Sequence, residues 1–261
     1  MEQKNPVQSA ERIFHVFETI AESGPMGLMA LSQRLNLHKS TVHRLLTSLS
    51  YMGYVEQDEE TSKYRLTFKI VELSNKFLTR VDILSIVHPY MEKLANQCQE
   101  TVHLVQRVGT NVVYIDKVSP LIIRDTSIQM GSQVGLARPM YCSAVGKSIL
   151  AELPEGEIKD IWDNSVIEKK TEHTILSFEQ LLRELEKVRE KGYALDNEEN
   201  EIGVRCIGAS IFNHQGQVKY AFSVSAPVSR MADGKIKELR KYVLDVKKKL
   251  SKKLGYKNSK W

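Results

Sequence analysis

Leu28 to Tyr54, LMALSQRLNLHKSTVHRLLTSLSYMGY, decides how the rest of the chain is read. Leu31 and Leu35, then Val42, Leu45, Leu46 and Leu49, recur at three- and four-residue spacing, so two short helices each turn one apolar stripe toward a shared core. The break between them falls at Asn36-Leu37-His38. No Asp or Glu occurs between Ser23 and Val55, whereas Arg34, Lys39 and Arg44 supply charge and His38, Ser40, Thr41 and His43 supply donors. An acid-free face of this kind is what a helix-turn-helix presents to phosphates.

The chain has 261 residues, 42% of them hydrophobic and 26% charged, which favours two soluble domains over one. No apolar run reaches the roughly 18 to 20 residues of a membrane span, and MEQKNPVQSAER lacks the apolar core of a signal peptide. Both points indicate a cytoplasmic protein. Cys98, Cys142 and Cys206 have no paired spacing and read as free thiols. The net charge of +5 arises in the tail: residues 235–261 hold eleven Lys or Arg against Glu238 and Asp245, whereas residues 1–80 hold ten against nine acids. Ile236, Leu239, Val243, Val246, Leu250 and Leu254 draw an apolar helical stripe through that tail, so its lysines read as the solvated face of a docked helix.

In chain order, Ser9 is a candidate N-cap for a helix carrying Ile13, Val16, Phe17 and Ile20, ended by Gly24-Pro25. After the helix-turn-helix, Tyr54-Val55 and Tyr64-Arg65-Leu66 flank the polar stretch 57–63, which predicts the hairpin wing of a winged helix. Lys63 and Arg65 are placed to meet phosphate, while Glu56, Asp58, Glu59 and Glu60 are expected to point away. Amphipathic helices follow at 67–80 and, with Asp82 as N-cap and Pro89 inside, at 82–98. Beyond Glu100 come strands at 101–107 and 111–118 around Val108-Gly109-Thr110, alternation at 122–130, and a loop at 131–140. Helices are expected at 143–153, 155–162 and 178–191, and strands at 193–195, 203–212 and 218–225. The fold class is α+β, with a mostly antiparallel sheet covered by helices.

Four segments in order, LSQRLNLHKSTVHRLLTSLSYMGYV, ETVHLV, ARPMYCSAVGKSILA, and DNEENEIGVRCIGASIF with FSVSAP, resemble the isocitrate lyase regulator (IclR) family of bacterial transcription factors along nearly the whole chain. The resemblance implies a winged helix-turn-helix over residues 1–66, a connecting helix over 67–80, and a GAF-like domain over 81–261 that binds an effector and oligomerises. It further implies a homodimer or tetramer on an operator in double-stranded DNA, controlled by a small organic acid, with no cofactor, no metal and no catalytic residue. Family members usually carry Gly where this chain has Asn36 and commonly Pro where it has His38; Asn tolerates a left-handed turn best among the non-glycine residues.

The recognition helix leaves His38, Lys39, Ser40, Thr41, His43, Arg44 and Thr47 to face the groove. Arg44 and His43 are the candidates for base edges, because Arg can donate twice to guanine. Lys39, Ser40, Thr41, Lys63, Arg65 and Arg12 are candidates for phosphate. For the effector, the family comparison places contacts at Ser143, Ala144 and Val145, at Asp196, Val204, Cys206, Ser223 and Ser225, and at Ile128 and Met130 as apolar walls. Two other readings compete: an enzyme built from Cys206, Cys142, His103 and Asp196, or zinc held by His103, Cys142 and Cys206, though no two of these lie in a short ligand motif. A purely architectural DNA binder would not need the roughly 180 residues of the larger domain.

Overall fold

Asn36 stops the first helix of the pair by entering the left-handed region, at φ 51° and ψ 44°. Its N–H returns to Gln33 and Ser32 carbonyls, Leu37 N–H returns to the Ser32 carbonyl, and the Ser32 hydroxyl donates to the Leu37 carbonyl at 2.6 Å. The turn therefore closes without glycine, with Asn36 in the left-handed conformation and the Ser32 and Gln33 carbonyls satisfied by the residues that follow. The computed structural model in which this is seen describes residues 5–78, 82–121 and 131–257. The chain divides into two compact units, Met1–Val81 and Asp82–Trp261.

In the first unit α1 (Gln8–Ser23), α2 (Leu28–Leu35) and α3 (Lys39–Tyr51) precede a hairpin of β1 (Val55–Gln57) and β2 (Tyr64–Leu66). Val7, not Ser9, occupies the N-cap of α1, and no side chain caps it. Val16, Ile20, Leu31, Val42, Leu46, Leu49, Val55 and Tyr64 form one core. The Met26 bridge to Tyr64 adds a third strand segment to the wing. Asp58 stiffens the wing turn by accepting from Thr61 N–H at 2.8 Å and from its hydroxyl at 2.7 Å, which lowers the Asp58 pKa. The unit's last helix, α4 (Lys69–Leu78), starts against the end of α3. There Thr67 donates to the Gly53 carbonyl, and Lys69 Nζ donates to the Met52 carbonyl while lying 4.6 Å over the Tyr54 ring.

In the second unit α5 (Ile83–Cys98) starts at Asp82, whose side chain accepts from Leu84 N–H at 3.0 Å. The sheet is six-stranded and antiparallel, in the order β5-β4-β3-β8-β7-β6. Its strands are β3 (Thr101–Val108), β4 (Asn111–Val118), β5 (Ala137–Pro139), β6 (Ala194–Asn197), β7 (Val204–Phe212) and β8 (Val218–Pro227). The helices α6 (Ala144–Leu150), α7 (Glu155–Asp163), α8 (Phe178–Lys191) and α9 (Asp233–Lys253) complete the unit. Two cores result: one joins α5 and α9 to the sheet, the other joins α6, α7 and α8. The sequence therefore predicts the architecture correctly, except that three residues of the expected 131–140 loop pair with β4 as β5. The alternation expected at 122–130 lies outside the described residues.

The apolar stripe of α9 is buried from Ile236 to Leu250 and most of its lysines are exposed, as a docked helix requires. Lys247 departs from that pattern. It is 2% exposed, with Nζ donating to Glu152 at 3.2 Å and to the Gly192 carbonyl at 3.1 Å.

Candidate DNA and effector sites

On the first unit His38 caps α3 by backbone geometry alone, and Lys39, Ser40, His43, Arg44 and Thr47 are exposed along the helix, with Thr41 and Arg12 half-buried. The Thr47 hydroxyl donates to the His43 carbonyl at 2.9 Å, so it offers a surface only its lone pairs and methyl group. Lys63 is exposed at the wing. Arg65 is not a loose cation: Glu56 stands opposite it across the hairpin, and Arg65 Nε donates to Glu56 Oε1 at 2.7 Å. The pair shares one face of an exposed ribbon, where opposite charges attract weakly.

The second unit holds a cavity built around the start of α6. Its lining joins Ser143, Ala144 and Val145 to Asp196, Val204, Cys206, Ser223 and Ser225. These are eight of the ten positions named for an effector; Ile128 and Met130 lie outside the described residues. The lining also takes in Tyr114, Ser132, Arg138, Asn200 and Glu201. None of these was singled out in the sequence, although Arg138 lies within the ARPMYC segment and carries the charge a carboxylate would seek. The enclosed space is narrow, about 30 Å³. That is far below the roughly 300 to 1,000 Å³ of sites for drug-sized molecules.

Glycine permits this convergence. The ideal Cβ of Gly208 on β7 would stand 3.2 Å from Ala144 C and Val145 N, so the strand approaches the helix start closely because no side chain intervenes. Ser143 caps α6, accepting from Gly146 N–H at 3.2 Å and donating to the Pro139 carbonyl at 2.8 Å. Beneath the cavity His103 links two walls: Nε2 is 2.7 Å from Ser132 Oγ and Nδ1 is 3.3 Å from Ser225 Oγ. Burial, aided by Lys117 and Arg138, lowers its pKa to about 3, so the ring is neutral.

The same electrostatics speaks against thiol chemistry. Burial raises Cys142 to about 12 and raises Cys206 as well, leaving both as protonated thiols, and His103 bonds serines instead of either sulfur. Among the described residues no group of three or more His, Cys, Asp or Glu could hold a metal ion, and no helix is long and apolar enough to cross a membrane.

Comparison with known proteins agrees with both halves. A family model described as the IclR helix-turn-helix domain matches residues 9–59, and one described as the bacterial transcriptional regulator IclR C-terminal domain matches residues 75–252. The HTH-type transcriptional regulator KdgR of Escherichia coli is 35% identical over 254 residues, covering 97% of this chain and 95% of that protein. The transcriptional repressor IclR of the same organism is 31% identical, covering 94% and 89%. Among solved structures, the Thermotoga maritima IclR is 33% identical with a TM-score of 0.64, covering 95% of this chain and 99% of that one. The Agobacterium tumefaciens repressor BlcR is 25% identical with a TM-score of 0.78, covering 98% and 100%. With a helix-turn-helix at one end, a helix-covered antiparallel sheet at the other, and both family models matched in order, the chain belongs to the IclR family of bacterial transcription regulators.

Proposed function

We propose that the chain is a cytoplasmic, homodimeric repressor that grips an operator with α3 and the wing, and whose affinity for that operator changes when a small organic acid enters the cavity around Ser143. The observation that carries this reading is the convergence of Arg138, Ser143, Asp196, Cys206, Ser223 and Ser225 from separate stretches of chain onto one polar cavity. Pockets that recognise small metabolites combine few convergent polar groups in this way. The cavity's narrowness favours a ligand of few heavy atoms.

Repression is supported by two relatives, IclR of Escherichia coli and BlcR of Agobacterium tumefaciens, which are named as repressors. A second copy of the chain is supported by exposed apolar side chains at the start of the connecting stretch, with Phe68 87% and Val71 50% exposed. Apolar surface of this kind marks association sites. Arg44 and His43 read base edges in this proposal, and Lys39, Ser40, Thr41, Lys63 and Arg12 hold phosphates.

The test pairs two measurements on the purified full-length protein: the melting temperature in a screen of small carboxylates, and the affinity for DNA from upstream of its own gene with and without each compound that binds. Coupling must be reciprocal. A compound that binds the cavity yet leaves operator affinity unchanged would refute the regulatory reading, and light scattering that finds a monomer would refute the dimer.

A further inference from the structure

Behind the effector cavity one buried ammonium is paired with the buried carboxylate of Glu199, and the buried carboxyl of Asp196 stands in the same cluster. Lys147 of α6 has no exposed surface, and its Nζ lies 2.5 Å from Glu199 Oε1 and 3.9 Å from Glu184. Glu199 Oε2 is buried with no hydrogen-bond partner among the described residues. Asp196, 4% exposed, lines the cavity; its Oδ1 accepts from Glu199 N–H at 2.8 Å and Asn200 N–H at 3.4 Å. Among the described residues no Lys or Arg forms an ion pair with Asp196; Lys147 pairs with the glutamates, and its charge only partly offsets what burial does to the Asp196 carboxyl.

If both Asp196 and Glu199 were ionised, this dry cluster would hold an uncompensated negative charge beside an oxygen that has no donor. Burying an unpaired charge is strongly unfavourable. Neighbouring buried carboxyls commonly avoid that cost by keeping one of the two protonated. Burial raises the Glu199 pKa too, but Glu199 has the Lys147 ammonium at 2.5 Å to hold its charge whereas Asp196 has no cation in hydrogen-bond contact, so the proton belongs on Asp196. Burial first, and the Glu199 charge second, raise the Asp196 pKa to about 7.

The neighbours that face Asp196 agree with this placement. Cys206 on β7, Cys142 before α6 and Tyr114 on β4 are kept protonated by burial. Glu201, in the turn after Asp196, adds negative charge at the cavity, and Arg138 on β5 supplies its cation. An anion entering between Arg138 and Asp196 would meet a hydrogen-bond donor if Asp196 is neutral and a like charge if it is not.

We propose that Asp196 serves the ligand site as a neutral carboxylic acid, donating its O–H to an oxygen of the bound anion, so that a monocarboxylate enters together with one proton taken from solvent. This rests on the cavity being the carboxylate site.

The test is calorimetric titration of the full-length protein with acetate, lactate, pyruvate and benzoate, in buffers of different ionisation enthalpy from about pH 6 to about pH 8.5. The expected result is a dissociation constant that rises up to about tenfold per pH unit above the Asp196 pKa, with close to one proton taken up per anion bound at the alkaline end. D196N, neutral at every pH and similar in shape, is expected to bind without that slope and without proton uptake. Binding to the wild type that does not change with pH, or a slope that survives in D196N, would overturn the proposal.

If none of the four acids binds, the carboxylate reading of the cavity fails on its own, and the proton is read in the free protein instead. Carbonyl infrared spectra and ¹³C NMR of aspartate-labelled wild type are expected to show one protonated aspartate at about pH 6 that ionises near neutrality. Absence of that signal overturns the proposal even if D196N does not fold.

Discussion

Gly146 and Met140 meet where no side chain could stand: a Cβ on Gly146 would lie 2.3 Å from both the Cα and the carbonyl oxygen of Met140. Both atoms are backbone, so neither can swing aside. Gly146→Ala is therefore expected to push α6 off the 139–142 turn and destabilise the protein by about 1 to 3 kcal/mol. Gly156→Ala, in a helical first turn with nothing within 4 Å of the new methyl, is expected to be neutral or to stabilise by up to about 1 kcal/mol. Thermal unfolding of the two variants side by side checks the contrast. Equal effects would mean that the close approach does not govern stability.

Asn36 offers a second backbone test. A residue with a Cβ is disfavoured at φ 51° unless its side chain suits the left-handed region. Asn36→Ala should lose about 1 kcal/mol, and Asn36→Gly should lose nothing or gain slightly. Chemical denaturation of the isolated first unit would not isolate the effect without proof that it folds alone, so the full chain is the material to use.

For DNA, Arg44→Ala is expected to weaken operator binding by about 1 to 3 kcal/mol and to relax the preference at one base pair. Lys63→Ala should weaken specific and random duplexes alike and reduce the salt slope by about one. The Arg65–Glu56 pair adds a less obvious outcome: Glu56→Gln releases Arg65 and removes a negative charge from the wing, so affinity for random DNA should rise. A fall would mean that Arg65 needs Glu56 to hold it in place. Binding curves at two salt concentrations measure all three.

His88 gives a pH dependence whose sign can be worked out. Its Nδ1 is 2.6 Å from Asp116 Oδ2, and that hydrogen bond chiefly raises the imidazole pKa above its ordinary 6.5. A raised folded-state pKa means that the contribution is fully present below pH 6.5 and fades as pH climbs through the higher folded value. With the ring half-exposed, solvent screening limits the effect to a few tenths of a kcal/mol, roughly up to 1. His88→Gln should therefore lower stability at acidic pH and have little effect under alkaline conditions. A constant difference across pH would assign it to packing.

How much could be read from the chain alone followed from how local the signal was. The helix pair at 28–54 is written in neighbouring residues, and α8 is bracketed by its own cap, Ser177, and by Gly192 at φ 77°. Strand β5 is three residues long, too short to alternate, and pairs with a strand some 25 positions earlier. The cavity residues share no local pattern; Asp196, Cys206 and Ser225 were singled out through family resemblance, and their meeting depends on the register Cys206↔Ser225 and Asp196↔Cys206. Lys147 and Lys247 were the least accessible to sequence reasoning. A lysine on an amphipathic helix reads as solvated, and only the packed neighbours Glu199 and Glu152 turn these two inward.

The strand order has a consequence for the chain's birth. Every contact in the core of the first unit is made among residues emerging early from the ribosome, whereas β3 must wait for β8: Thr101 pairs with Ser225, across an interval containing α6, α7 and α8. Pairings so distant in sequence are slow to form because a long loop must close first. A nascent molecule thus has its DNA-reading helices assembled while half of its sheet is still unmade, with the apolar faces of β3 and β4 uncovered. That interval is when this protein is most exposed to aggregation.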